Sequence, residues 1–124
     1  MESSQIILYG LIAIVIFLYL RKFLLGKKFK NYSAGEVKAM LDKKEIILLD
    51  VRTESERSRN FIKGSIHIPL SSLTLSINEL KKYNGKEIVC YCASGSRSLS
   101  ACGILNKNGI KAANMLGGIS RWNF

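Results

Sequence analysis

The stretch with the clearest chemical potential is Cys92-Ala93-Ser94-Gly95-Ser96-Arg97-Ser98, which lies between an apolar run and an amphipathic one. Residues 93–96 are all small, so the backbone can curl around the sulfur of Cys92 with its N–H groups turned inward. Such a nest stabilises an anion, and the positive end of the helix predicted to follow adds to the effect. A thiolate held there is more acidic than a free cysteine and acts as a nucleophile near neutral pH. Arg97 supplies a fixed positive charge able to fork onto an oxyanion. These features suit attack on an electrophilic sulfur or phosphorus atom.

The rest of the reactive inventory is sparse. Cys90, Cys92 and Cys102 are an odd, clustered set and make a poor disulfide framework. The pattern does not suit a zinc site, because the C-x-C spacing lacks a second ligand pair and the single histidine, His67, is remote in sequence. Cys90 on an apolar strand and Cys102 inside the following helix read as core, with Cys92 as the reactive thiol. One reactive thiol with two bystanders suits a reducing compartment.

The elements that must position the loop follow from the apolar pattern. Ser33 with Glu36 forms a capping box ahead of Val37, Met40 and Leu41. Glu45–Val51 (EIILLDV) and Glu87–Tyr91 (EIVCY) are short, largely apolar runs, as in strands buried on both faces. Thr53–Arg59 is polar and reads as a short helix or loop, and Ser65–Pro69 as a brief strand. Leu73, Ile77 and Leu80 recur at helical spacing across Ser71–Lys82. Ser96–Asn106 is predicted to be a helix with Leu99, Cys102 and Gly103 on one face. Ala112–Leu116 is a last strand, and Gly117-Gly118 opens a short terminal helix. Strands alternating with helices imply βα units and a parallel sheet covered on both sides, an α/β fold.

The N-terminal segment differs from everything after it. Ile6–Leu20 (IILYGLIAIVIFLYL) carries no charge, and Phe23, Leu24 and Leu25 extend the apolar run past Arg21 and Lys22, which can snorkel. At about 1.5 Å per residue, Ile6–Leu25 spans roughly 30 Å, the thickness of a hydrocarbon core. Residues 5–25 therefore read as a transmembrane helix in a lipid bilayer, 26–31 as a basic linker and 32–124 as one domain. A cleaved signal peptide would need a positive n-region, but Glu2, Ser3, Ser4 and Gln5 precede the run. Arg21, Lys22, Lys27, Lys28 and Lys30 all follow or close the span, so the positive-inside rule puts the N-terminus outside and the domain in the cytoplasm. The formal charge of +10 does not indicate nucleic-acid binding, because beyond this cluster basic residues are scattered among acidic ones.

The Cys92 loop resembles the active-site loop of rhodanese-family sulfurtransferases, and the resemblance runs beyond it. Asp50-Val51-Arg52 followed by Glu56 is similar to the family's D-V-R-x-x-x-E element. Gly64-Ser65-Ile66-His67-Ile68-Pro69 resembles its G-[AS]-x-x-I-P strand, and Gly117-Gly118 with Trp122 resembles its G-G-x-x-x-W ending. The resemblance implies a three-layer sandwich around a central parallel sheet. It makes Cys92 the residue that becomes a persulfide, and the loop amides of Ala93, Ser94, Gly95, Ser96 and Arg97 the groups that hold the anion. Arg97 would also bind the donor, with Asp50, Arg52 and Ser98 in support. The implied substrates are a small anionic sulfur donor such as thiosulfate and a cyanide or thiol acceptor, with no metal or organic cofactor.

Two departures from the family pattern stand out. Asn60-Phe61-Ile62 replaces the usual Gly-His before the isoleucine, and only two residues follow Trp122, which clips the last helix. The phosphatase and arsenate-reductase branch of the same fold enlarges the loop to C-x5-R. Cys92 to Arg97 is the shorter C-x4-R, and a nest's radius follows its residue count. A membrane-tethered sulfur-sensing or docking module is the non-enzymatic alternative. Arg52 and Glu56 are expected to pair as a brace for the loop.

Overall fold

The computed structural model describes residues 2–27, 29–83 and 85–124, without the side chains of 25–27. Helix α1 (Ser3–Lys27) precedes strand β1 (Lys30–Tyr32), α2 (Ala34–Asp42), β2 (Ile46–Asp50), α3 (Glu54–Arg59) and β3 (Ile66–His67). After a run of short turns come α4 (Ile77–Leu80), β4 (Glu87–Tyr91), α5 (Ser96–Lys107) and β5 (Ala112–Met115), then a 3-10 turn at Gly118–Arg121. The five strands form one parallel sheet in the order β1-β5-β4-β2-β3.

Both faces of the sheet are covered, and strand periodicity divides the core between them. Leu49, Ile88, Cys90 and Ala112 point to a layer with Leu73, Ile77 and Leu80 from the turn region and Ala101, Cys102 and Leu105 of α5. Their neighbours Leu48, Val89, Tyr91 and Ala113 point the other way, against Val37 of α2, Ile62, Ile119 and Trp122. The result is a three-layer α/β sandwich. From β2 the chain steps outward to β3, then crosses back to β4 and steps outward to β5 on the other side. The carboxyl ends of β2 and β4 therefore flank a topological switch point, where open parallel sheets bind their ligands.

Capping explains two of the helices. At α2, Ser33 Oγ accepts the Glu36 amide at 3.2 Å and Glu36 returns a contact to the Ser33 amide at 3.3 Å. Thr53 and Glu56 repeat the arrangement at the start of α3. Three readings are corrected. The linker read over 26–31 shrinks at both ends: α1 runs to Lys27, and Lys30 and Asn31 enter β1. At three residues β1 is too short to show a strand pattern, and it is held by pairing with β5 and by Tyr32, which packs on the core and donates to Glu87 of β4 at 2.6 Å. Lys28 of that linker lies outside the described residues. Ser71–Lys82 is not one helix but two 3-10 turns (Leu70–Ser72, Thr74–Ser76), the single turn α4 and a third 3-10 turn at Lys81–Tyr83. Leu73, Ile77 and Leu80 are nonetheless buried. On α5 the core face is Ser98, Ala101, Cys102 and Leu105, while Leu99 and Gly103 are half-buried beside Phe29.

Helix α1 is long and apolar enough to cross a membrane: an 18-residue window within Ser3–Leu24 has a mean hydropathy of 2.1, and none of that window is buried against the rest of the chain.

A buried hydroxyl ties the switch point together. Tyr91 on β4 is fully enclosed, and its hydroxyl donates to Asp50 Oδ2 at 3.0 Å while accepting the Ile62 amide at 3.2 Å. Ser65 Oγ lies 3.1 Å from the same oxygen. Tyr91→Phe strands these partners and should lower stability by about 1–3 kcal/mol, read by urea unfolding of the full chain in detergent.

Candidate functional site

Strand β4 ends at Tyr91 and delivers Cys92 to the switch point, 1% exposed. The chain then turns at Gly95, whose φ of 116° lies in the left-handed region that favours glycine, before α5 begins at Ser96. The Gly95 amide points back at the sulfur, N to Sγ 3.0 Å. Ser98, within the first turn of α5, places its hydroxyl 3.5 Å from Sγ. Burial is the strongest single influence on the Cys92 thiol and opposes its ionisation. Hydrogen bonds from the Ser98 hydroxyl and from the amides of Ser98, Gly95 and Ser94 together outweigh it, and hold the thiol below its ordinary value. Cys90 behaves oppositely: its hydrogen bond with Cys102 and complete burial push its thiol well up, as befits an inert core residue.

The loop is clamped from behind by the C-terminal turn. The Ile119 amide donates to the Cys92 carbonyl at 2.9 Å and the Ser120 amide to the Ala93 carbonyl at 3.4 Å. Gly118 sits against that backbone: a Cβ there would collide with the Cys92 carbonyl oxygen and lie 2.6 Å from the Ala93 carbonyl group. This close approach is what the Gly117-Gly118 pair provides.

The supporting residues gather on the β2 side. Asp50, fully buried at the end of β2, takes Arg52 Nε at 3.0 Å on Oδ1 and Arg52 Nη2 at 3.0 Å on Oδ2. Arg52 also donates to Asn60 Oδ1 at 3.1 Å and to the Asn60 carbonyl at 2.7 Å. Burial opposes the Asp50 carboxylate, but hydrogen bonds from Arg52 keep its pKa low. His67 Nε2 lies 2.7 Å from the Arg52 carbonyl, a structural contact away from the sulfur.

The expected Arg52–Glu56 brace is not formed. Arg52 is consumed by Asp50 and Asn60, and Glu56 pairs with Arg97 instead, Nη1 to Oε1 2.6 Å and Nη2 to Oε2 2.9 Å. Arg97 beside it, with Thr53, brings Glu56 down to about 2, so the carboxylate stays charged at any ordinary pH. Arg97 stands in the loop as read from the sequence, but its fork is closed on Glu56 rather than open to an oxyanion. Ala93, Ser94, Gly95 and Ser96 form the turn around Cys92, with Ser94 and Ser96 exposed.

Sequence reasoning missed Tyr91, Asn60 and Asn114. Asn114 accepts from Ser98 Oγ at 2.5 Å and donates to Asn31 Oδ1 at 3.1 Å, linking the sulfur's hydroxyl partner to edge strand β1. An asparagine within the apolar run of β5 was the available signal, since buried polar groups need partners.

A rhodanese-like domain matches residues 33–124. The chain therefore belongs to the rhodanese family. It is 31% identical to a sulfurtransferase of Allochromatium vinosum over 67% of this chain and 77% of the relative. It is also 31% identical to the uncharacterised Bacillus subtilis protein YqhL over 97% of this chain and 93% of that protein, an extent that takes in most of α1. The crystal structure of a rhodanese-like domain protein from Staphylococcus aureus superposes with a TM-score of 0.70 at 30% identity, covering 77% of this chain and 92% of that one. Sulfur transfer is thus an activity named among its relatives.

The Ser98 contact predicts a pH signature. A lowered thiol leaves thiolate present toward lower pH, so alkylation of wild-type Cys92 persists as pH falls below the ordinary cysteine range. Ser98→Ala removes a hydrogen bond to the charged form. Iodoacetamide labelling of Cys92 at neutral pH should slow about tenfold, with little change in strongly alkaline solution.

Proposed function

We propose that this chain is a membrane-anchored sulfurtransferase that carries sulfane sulfur on Cys92. The observation that carries the reading is the Cys92 sulfur itself, held by the Gly95 amide at 3.0 Å and by Ser98, and ionising below an ordinary thiol. With thiosulfate as donor, the Cys92 thiolate attacks the outer sulfur. A Cys92–sulfur bond forms, the sulfur–sulfur bond of the donor breaks, and sulfite departs with its electron pair. The product is a Cys92 persulfide anion, which the inward-facing amides of the loop suit as they suit the thiolate. An acceptor nucleophile, cyanide or a thiol, then attacks the outer sulfur and regenerates the thiolate in a ping-pong cycle.

The resemblance to sulfurtransferases supports this chemistry over phosphoryl transfer, as does the four-residue spacing between Cys92 and Arg97. No step in it calls on a metal or organic cofactor. Substrate contact would fall to the loop amides of Ala93, Ser94, Gly95, Ser96 and Arg97, with Asp50, Arg52 and Ser98 keeping the loop in place. Helix α1 would hold the domain at the cytoplasmic face of a bilayer, its N-terminus outside. The uncharged apolar span and the basic residues closing it support that orientation.

Intact-mass measurement on the chain from a membrane fraction tests the reading. After thiosulfate treatment the wild type should gain one sulfur atom and Cys92→Ser none, on a chain that retains residues 1–25. Absence of the gain with hydrolysis of an aryl phosphate would favour the phosphatase branch, and a shortened chain would show α1 to be a cleaved signal.

A further inference from the structure

Three arginines on the β2 side of the loop and within it, Arg52, Arg57 and Arg97, are each held by protein acceptors, and this bears on which donor the loop can take. Arg52 is held by Asp50 and Asn60. Arg57 donates from Nη1 to Ser65 Oγ at 2.8 Å and from Nη2 to the Ser65 carbonyl at 2.9 Å, with Asp50 Oδ2 at 3.4 Å. Arg97, the one guanidinium within the loop, presents both Nη atoms to Glu56. Glu56 is in turn held by the Thr53 amide at 3.3 Å and the Thr53 hydroxyl at 3.1 Å, so the carboxylate is fixed from both sides.

A dianionic donor such as thiosulfate meets two obstacles here. Its charge is repelled by the Cys92 thiolate about twice as strongly as a single charge would be. Its sulfonate also needs donors beyond the few loop amides, and the planar fork best matched to an oxyanion is already filled by a carboxylate. A thiol-borne sulfane sulfur, R–S–SH, is at most singly charged and brings no sulfonate. Resting on the sulfur-transfer reading of Cys92, we propose that Glu56 sets donor class: by occupying Arg97 it biases the loop toward hydropersulfides and against dianionic donors. In the step, the Cys92 thiolate attacks the outer sulfur of R–S–SH. The Cys92–sulfur bond forms, the R–S to S bond breaks, the proton stays on the transferred sulfur, and R–S⁻ leaves with the electron pair. Glu56 is a positioning residue in this scheme, acting through Arg97.

The test measures Cys92 loading by intact mass on the full chain in detergent, with thiosulfate, cysteine hydropersulfide and a persulfidated cysteine peptide as donors. Wild type should load at least tenfold faster from one of the two hydropersulfides than from thiosulfate, and the faster of them identifies a small-molecule or a protein-borne source. Glu56→Gln should shift the thiosulfate-to-hydropersulfide ratio of kcat/KM at least tenfold toward thiosulfate, mainly through a lower KM for thiosulfate. The Glu56→Gln/Arg97→Gln double variant should return the ratio to that of the wild type, because the gain works through the freed guanidinium. A loss of folding would depress all donors together and leave the ratio unmoved, which overturns the proposal, as does a wild type that prefers thiosulfate. An unchanged ratio in Glu56→Gln would likewise place any donor-binding cation elsewhere, for instance at exposed Arg121 alongside Gly117. If no donor loads Cys92, the sulfur-transfer reading itself fails, an outcome distinct from these.

Discussion

The proposed chemistry depends on one electrostatic constraint: a buried sulfur must be kept negative. Burial alone would keep Cys92 protonated, and Cys90, two residues earlier in the chain, is held protonated by its hydrogen bond with Cys102 together with complete burial. What separates the two thiols is the turn after β4, where Gly95 adopts a left-handed conformation and aims its amide at Sγ. A rigid N–H aimed at an anion costs no reorganisation when the charge forms, which is why such turns serve as anion sites. Ser98 adds a hydroxyl whose proton can turn between Asn114, the Gly95 carbonyl and the sulfur.

A turn of small residues is floppy unless its neighbours fix it, and the fold fixes it on two sides. Gly118 packs against the Cys92 and Ala93 carbonyls, and the amides of the C-terminal turn bond them. On the β2 side, Asp50 collects Arg52, Arg57 and the Tyr91 hydroxyl. Removing any one partner of such a buried set leaves another unsatisfied, so the group acts as a unit. Glu56–Arg97 is different in kind. It is partly exposed and contributes on the order of 1 kcal/mol or less to stability, so its importance in the proposed donor selection lies in what it denies to a ligand.

Much of this was legible in the sequence, for identifiable reasons. β2 and β4 are short runs of apolar residues buried on both faces, a pattern that admits few alternatives at that length. The Ser33–Glu36 capping box is local and reads directly from the sequence, whereas that of Thr53 and Glu56 emerges only with the structure. β1 could not be read, because Lys30, Asn31 and Tyr32 owe their strand conformation to a partner more than eighty residues away. Ser71–Lys82 has helical spacing but breaks into turns: its apolar residues are placed by the layer beneath, and helix propensity does not decide the matter. At the site, the residue types of the loop were evident from spacing, while their pairings were not. Glu56 and Arg97 are 41 positions apart, and nothing local distinguishes Arg52 from Arg97 as the partner of Glu56.

The ionisation of Cys92 is the most direct measure of whether this constraint operates. Thiolate absorbance in the ultraviolet, followed against pH on the full chain with the Cys92→Ser variant subtracted, isolates that one sulfur from Cys90 and Cys102. A midpoint clearly below that of cysteine in an unstructured peptide is the predicted result. A midpoint at or above the peptide value would mean that burial, and not the ring of amides, governs the site, and would contradict the chemistry built on it.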